Sequence, residues 1–207
     1  MAADAQGNDL SKVNIPVTGF LAIQKEGTPT YVDSAEGAKN PLTLPTGYVK
    51  LGLVTDDGGP EPGKDGEDAI EFWQEGYSIG GSSTRTVKVT LAENNDLTRW
   101  LLEGVAPDAN GMTTVGGGND ATFPLFYAVQ YKNGRQERYN GLAKVSEISE
   151  SKSERGAITG YECTFTWVND ETVGGAYRHW TMNAATSQPA QSPARSTSQP
   201  APKSTSA

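Results

Sequence analysis

Cysteine and histidine are nearly missing from this chain of 207 residues: Cys163 and His179 are the only ones. A lone cysteine closes no intramolecular disulfide, so the fold is not a disulfide scaffold. A structural zinc site wants several His or Cys ligands together, and one of each, away from clustered acids, does not supply it. No metal and no cofactor is expected. Ser-His-Asp or Cys-His chemistry would have to run through His179, which lies beside a segment of tail composition. Long apolar runs are missing too. None approaches the ~18 residues that a membrane span needs, and no membrane partner is expected. The opening residues MAADAQGNDLSK have neither a basic start nor an apolar core. That reads against a secretory signal and toward a soluble protein made in the cytoplasm.

Nucleotide and hydrolase fingerprints are absent as well. No G-x-S-x-G, Walker A or G-x-G-x-x-G occurs, and GGGND at 116–120 lacks a following Lys-Ser/Thr pair. Basic charge is scarce: 17 Lys and Arg stand against 25 Asp and Glu, for a net charge of −8. Nucleic-acid grip rests on neutralising phosphates, so the overall field repels DNA and RNA. Such a field suits a surface past which DNA slides without sticking.

What is abundant is glycine and proline, 24 and 12 residues. This frequency argues for short strands and many turns. Residues 181–207 differ from the rest: Ser, Thr, Ala, Pro and Gln fill them, and SQPA occurs twice. Such a segment buries too little to offset its backbone entropy, so a disordered tail is expected there, either an outward appendage or a solvated end without a task. It carries +2, which leaves −10 on residues 1–180, the expected folded domain with an N-terminal arm. A chain of that size buries roughly 70% of its unfolded surface, enough for one core.

Strand periodicity is clear in two places. Val87, Val89 and Leu91 alternate with Thr86, Lys88 and Thr90, and Tyr161, Cys163, Phe165 and Trp167 alternate with Glu162, Thr164 and Thr166. Residues 122–131 are apolar on both faces and read as a strand in mid-sheet, with Pro124 marking an irregular or edge start. Asn133-Gly134 predicts a hairpin onto residues 136–148, and a further return leads into 161–167. Further strands are expected at 17–23, 48–54, 69–73 and 142–148. One helix follows Asn95 or Asp96 as N-cap, presents Leu97, Trp100 and Leu101 on one face, and stops at Gly104. At about two turns it must dock on the sheet, so Trp100 and Leu101 are expected as core anchors, with Trp73, Phe165 and Trp167. Long loops are expected at 55–68 and 107–121. The class is mainly β: a sandwich or barrel-like fold with one short flanking helix.

The order of segments resembles the major tail (tail tube) proteins of long-tailed phages that infect actinobacteria. The strand and turn at 47–58, GYVKLGLVTDDG, carries most of the likeness, followed by IEFWQ at 70–74 and the strand at 84–95. The likeness spans about residues 15–168 and rests on the ordered combination. It implies a virion protein whose hexameric rings stack into a tube that conducts DNA without specific binding. Implied partners are further copies of itself, a tape measure protein, and tail terminator and baseplate proteins. By segment, the loop at 55–68 would meet the next ring, through Asp56, Asp57, Glu61, Lys64, Asp65, Glu67 and Asp68. An uncontacted flexible loop is the plainer alternative.

Two other classes stay open. A surface or virion β-sandwich that binds carbohydrate or decorates a particle could use Trp73, Tyr77, Tyr127 and Tyr131 as a platform, although core burial explains them as easily. An enzyme could use a carboxylate pair such as Glu71 and Glu75, but a chain with 25 acids offers many such pairs. No catalytic residue is assigned.

Overall fold

Alternating apolar residues build the wall of the fold. In the computed structural model, which describes residues 4–66, 68–81 and 83–183, ten strands form. They are β1 (Pro16–Gln24), β2 (Tyr48–Lys50), β3 (Glu61–Gly66), β4 (Ile70–Glu71), β5 (Ser78–Ile79), β6 (Ser83–Leu91), β7 (Thr122–Tyr131), β8 (Gln136–Glu150), β9 (Tyr161–Val168) and β10 (Arg178–Met182). The protein is mainly β, and all its pairings are antiparallel. The large sheet runs β2-β1-β7-β8-β9-β6-β3, and β10 shares an edge of β8 with β9.

The sheet curls until its two sides meet through the chain that follows β2. The Leu51 amide donates to the Leu21 carbonyl at 3.0 Å, on the β1 side. The Ala92 amide donates to Leu53 at 2.8 Å and the Thr55 amide to Thr90 at 3.0 Å, on the β6 side. The expected strand at 48–54 is therefore split: three residues pair with β1, and Val54 makes a single bridge to Leu91. Between residues 16–19 of β1 and residues 52–60 the wall is left open as a cleft of about 360 Å³.

Inside the curl lies the main core. Val87, Val89 and Leu91 of β6 stand opposite Phe165, Cys163 and Tyr161 of β9, all buried. Helix α2 (Asp96–Glu103) lies against this core. Its N-cap is Asn95, whose Oδ1 accepts from the Leu97 and Thr98 amides at 3.0 and 2.9 Å, and Gly104 ends it at φ 73°. Leu101 is buried outright, and Trp100 meets Phe123 edge-on at 5.6 Å. Phe123 in turn meets Phe165 edge-on at 6.1 Å. Leu101, Phe165, Trp167 and, half-buried, Trp100 are thus anchors as the sequence suggests.

Strands β7, β8 and β9 are the three consecutive antiparallel strands expected, and Gly134 takes φ 80° in the turn between the first two. β7 is buried on both faces. Phe123, Leu125 and Tyr127 face the main core, while Phe126 and Ala128 face a second cluster with Val32. The β1 ladder on β7 stops at Leu125, so Pro124 stands beyond its end.

The second cluster exists because residues 30–44 form a strap over the sheet. The short helix α1 (Ser34–Gly37), capped by Asp33, lies within it. Side chains of β8 and β10 pin the strap. Arg138 donates to the Gly37 and Lys39 carbonyls, both at 2.7 Å, Arg178 to Val32 at 2.9 Å, and Trp180 to Ser34 at 3.1 Å. The sequence reading gave neither α1 nor β10. β10 runs to Met182, past the boundary expected at residue 180. The expected tail at 181–207 falls, from residue 184 onward, outside the described residues, as does Glu67.

Candidate functional site

The segment between β3 and β6 leaves the barrel wall as an arm. β3 pairs with β6 from Glu61↔Lys88 outward to Gly66↔Ser83. Beyond it, β4 and β5 pair as Ile70↔Ile79 and Glu71↔Ser78. The Phe72 amide donates to the Tyr77 carbonyl at 3.0 Å, and Gly76 takes φ 86° in the turn at the tip. A two-residue pair of strands of this kind has no sheet to lie on.

That corrects two expectations. The loop at 55–68 is only partly a loop, because Glu61, Lys64 and Asp65 stand on β3. Its Pro62 and its glycines mask the strand in sequence, and Pro is tolerated because β3 is an edge. Asp56 and Asp57 sit exposed in the turn before it, and Asp68 is exposed beyond it. Trp73 is the second correction. It is no core anchor but is 100% exposed at the tip of the arm. Its run Ile-Glu-Phe-Trp has strand chemistry, yet it pairs only with its own return, which leaves nothing to bury it. The expected strand at 69–73 shrinks to Ile70 and Glu71.

The arm carries an unusual surface for so short a segment. Ile70, Phe72, Trp73, Tyr77 and Ile79 are all at least half exposed. Asp65, Glu67, Asp68, Glu71 and Glu75 are its charged residues, with no Lys or Arg from 65 to 84. The carboxylate pair Glu71 and Glu75 sits on this exposed tip, not in a cleft. Trp73 and Tyr77 are exposed together, whereas Tyr127 is buried and Tyr131 half-buried on β7. The four-aromatic platform is therefore divided between two places.

At the foot of the arm the barrel opens into a mouth of about 320 Å³. Its floor is a stack of rings. Tyr127 lies on Tyr139 at 4.4 Å and Tyr139 on His179 at 4.2 Å, nearly parallel in both cases, and Trp167 leans on Tyr177 at 5.1 Å. Glu137 holds the stack from behind, accepting hydrogen bonds from the Tyr131 and Tyr139 hydroxyls at 3.1 and 3.0 Å. Burial, reinforced by the Glu137 charge, pushes the Tyr131 phenol up to about 12 and the Tyr139 phenol up as well. Burial raises the Tyr127 phenol too. Pro62, Gly63, Lys64, Arg85 and Thr86 form the opposite rim. Lys64 and Arg85 face each other directly across the ladder. Like charges so placed repel.

Sequence reasoning missed the mouth. Tyr177, just before β10, and His179 on it alternate with Arg178 and Trp180, a period-two signal, but it abuts the Ser/Thr/Pro-rich stretch and is short. Among the described residues, no three His, Cys, Asp or Glu side chains converge as a metal site would require, and no helix is long and apolar enough to cross a membrane. No family model matches the chain, and a search of curated proteins returns no match.

Proposed function

We propose that this protein is a structural virion subunit, made in the host cytoplasm, that polymerises as stacked, hexameric rings into a phage tail tube. One observation carries the reading: a projecting arm exposes five large apolar side chains within ten residues, from Ile70 to Ile79. Exposed apolar patches on soluble chains mark surfaces that a partner covers. Two further features support it. β3 has an open outer edge, and strand edges left open invite pairing with another chain. The acidic balance suits a wall along which DNA passes without binding. Tape measure, terminator and baseplate proteins are the partners this role requires.

The test is assembly. Purified protein is concentrated across a range of salt and crowding and imaged by negative-stain electron microscopy, with light scattering alongside. Rings or tubes are the expected result. A monodisperse monomer under every condition would overturn the reading.

One observation favours a second reading, a carbohydrate-binding or decorating module: Trp73 and Tyr77 are exposed together. Paired exposed aromatics suit the apolar faces of sugars. Quenching or a blue shift of tryptophan emission on adding glycans, lost in Trp73→Ala, would support that module.

A further inference from the structure

We infer that the acidic, aromatic tip of one copy's arm docks into the ring-lined mouth at the foot of the arm of a second copy, with Trp73 as the inserted side chain. The inference rests on the assembly reading and names the surfaces that join. Three features of the two surfaces match. In charge, the tip bears Glu71 and Glu75 with no base nearby, while the rim bears Lys64 and Arg85. These two cations oppose one another across the ladder, an arrangement that an incoming carboxylate relieves. In chemistry, the mouth is floored by tyrosine, tryptophan and histidine rings, and offset or edge-on contact with an entering indole adds to burial. In size, about 320 Å³ lies at the lower end of the range for small-ligand pockets, room for one large side chain and not for a whole element.

The geometry also selects the partner. The tip does not occupy its own mouth, because Trp73 is wholly exposed. Trp73 lies nine steps along the chain from Lys64, so the tip reaches at most ~30 Å from the rim. Donor and acceptor surfaces are different patches, so the contact is heterologous when each copy passes its tip to the next rather than exchanging tips with one partner. Repeated, it closes a ring or extends a stack, depending on the rotation between copies.

The experiment uses two charge-reversed full-length chains. One carries Lys64→Glu with Arg85→Glu, giving an acidic rim and an acidic tip. The other carries Glu71→Lys with Glu75→Lys, giving a basic rim and a basic tip. All four side chains are exposed, and circular dichroism and thermal unfolding confirm that each variant folds like the parent. Each variant alone should need on the order of tenfold more protein to assemble. An equimolar mixture should assemble at the parental concentration, because every tip then finds a rim of opposite sign. Trp73→Ala should weaken assembly by a similar factor or more. If each variant alone assembles as the parent does, the docking is wrong while the assembly reading stands. If the parent itself never assembles, the reading beneath it fails. If Trp73→Ala assembles normally and acidic sugars quench Trp167, the mouth belongs to a glycan and the docking is overturned.

Discussion

The side-chain oxygen of Asn140 accepts the backbone amide of Val32 at 2.7 Å, joining the middle of β8 to a strap 108 residues earlier in the chain. Asn140 is fully buried, and its amide nitrogen donates to the Leu125 carbonyl at 3.0 Å and the Tyr48 hydroxyl at 2.9 Å. Replacing it leaves the Val32 amide and the Leu125 carbonyl without that partner. Buried groups orphaned in this way cost about 1–3 kcal/mol each. Asn140→Leu should therefore lower unfolding free energy by roughly 2–5 kcal/mol in urea titrations. A change within ~0.5 kcal/mol, the range of neutral surface substitutions, would show that the strap is not held here.

A second prediction concerns Gly37. A Cβ built on it would stand 2.2 Å from Cε2 of Trp180, closer than atoms approach. Trp180 also donates its indole N–H to the Ser34 carbonyl, so it is fixed from both sides. Gly37→Ala should lift α1 off β10. Trypsin should then cut at Lys39 much faster than in the parent, and an unchanged cleavage pattern would contradict the packing.

The N-cap of α2 offers a third. Asn95 accepts from two helix amides and donates to the Leu51 carbonyl at 3.2 Å. Asn95→Ala should cost about 1–2 kcal/mol, the upper end of cap substitutions, because a contact to the barrel wall is lost with the cap. Asn95→Asp keeps the acceptor for the cap and loses the donor, so it should fall between the two. Equal stability of all three would remove the cap from the account.

Alkaline pH should destabilise the fold. Burial pushes the Cys163 thiol from 9.0 up to about 12 and the Tyr48 phenol from 10.0 up to about 12, and desolvation with the Glu137 charge does the same for Tyr131. In each case the folded value lies above the unfolded one, so the unfolded chain loses its proton first. The stabilisation is whole below pH 9, declines as pH rises, and is gone once pH passes the folded values near 12. Urea midpoints should be flat from pH 7 to 8.5 and fall above about 9.5. A thiol reagent at pH 8 should label Cys163 only after denaturant is added; rapid labelling of native protein would contradict its burial.

Much of this fold is legible where the signal is local. The alternation in β6 and β9, the Asn133-Gly134 turn and the Asn95 to Gly104 bounds of α2 each depend on residues near in sequence. What was not legible depends on partners far away. β3 reads Glu-Pro-Gly-Lys-Asp-Gly and has no strand propensity of its own; it exists because β6 offers it a ladder. Trp73 has the chemistry of a core residue, and only the arm's departure from the wall decides its exposure. The mouth was missed for the same reason, since its rings come from β7, β8, β9 and β10 and from the loop before β10.

β6 belongs to the arm and to the barrel at once: residues 83–88 pair with β3, and residues 86–91 pair with β9. Tension applied at the tip is thereby delivered lengthwise along a strand already woven into the wall, as shear over six residue pairs to β9. Ladder bonds loaded lengthwise must break together, whereas bonds peeled from one end break in turn. Single-molecule pulling through residue 73 should accordingly rupture the barrel at higher force than pulling through Met182 at the end of β10.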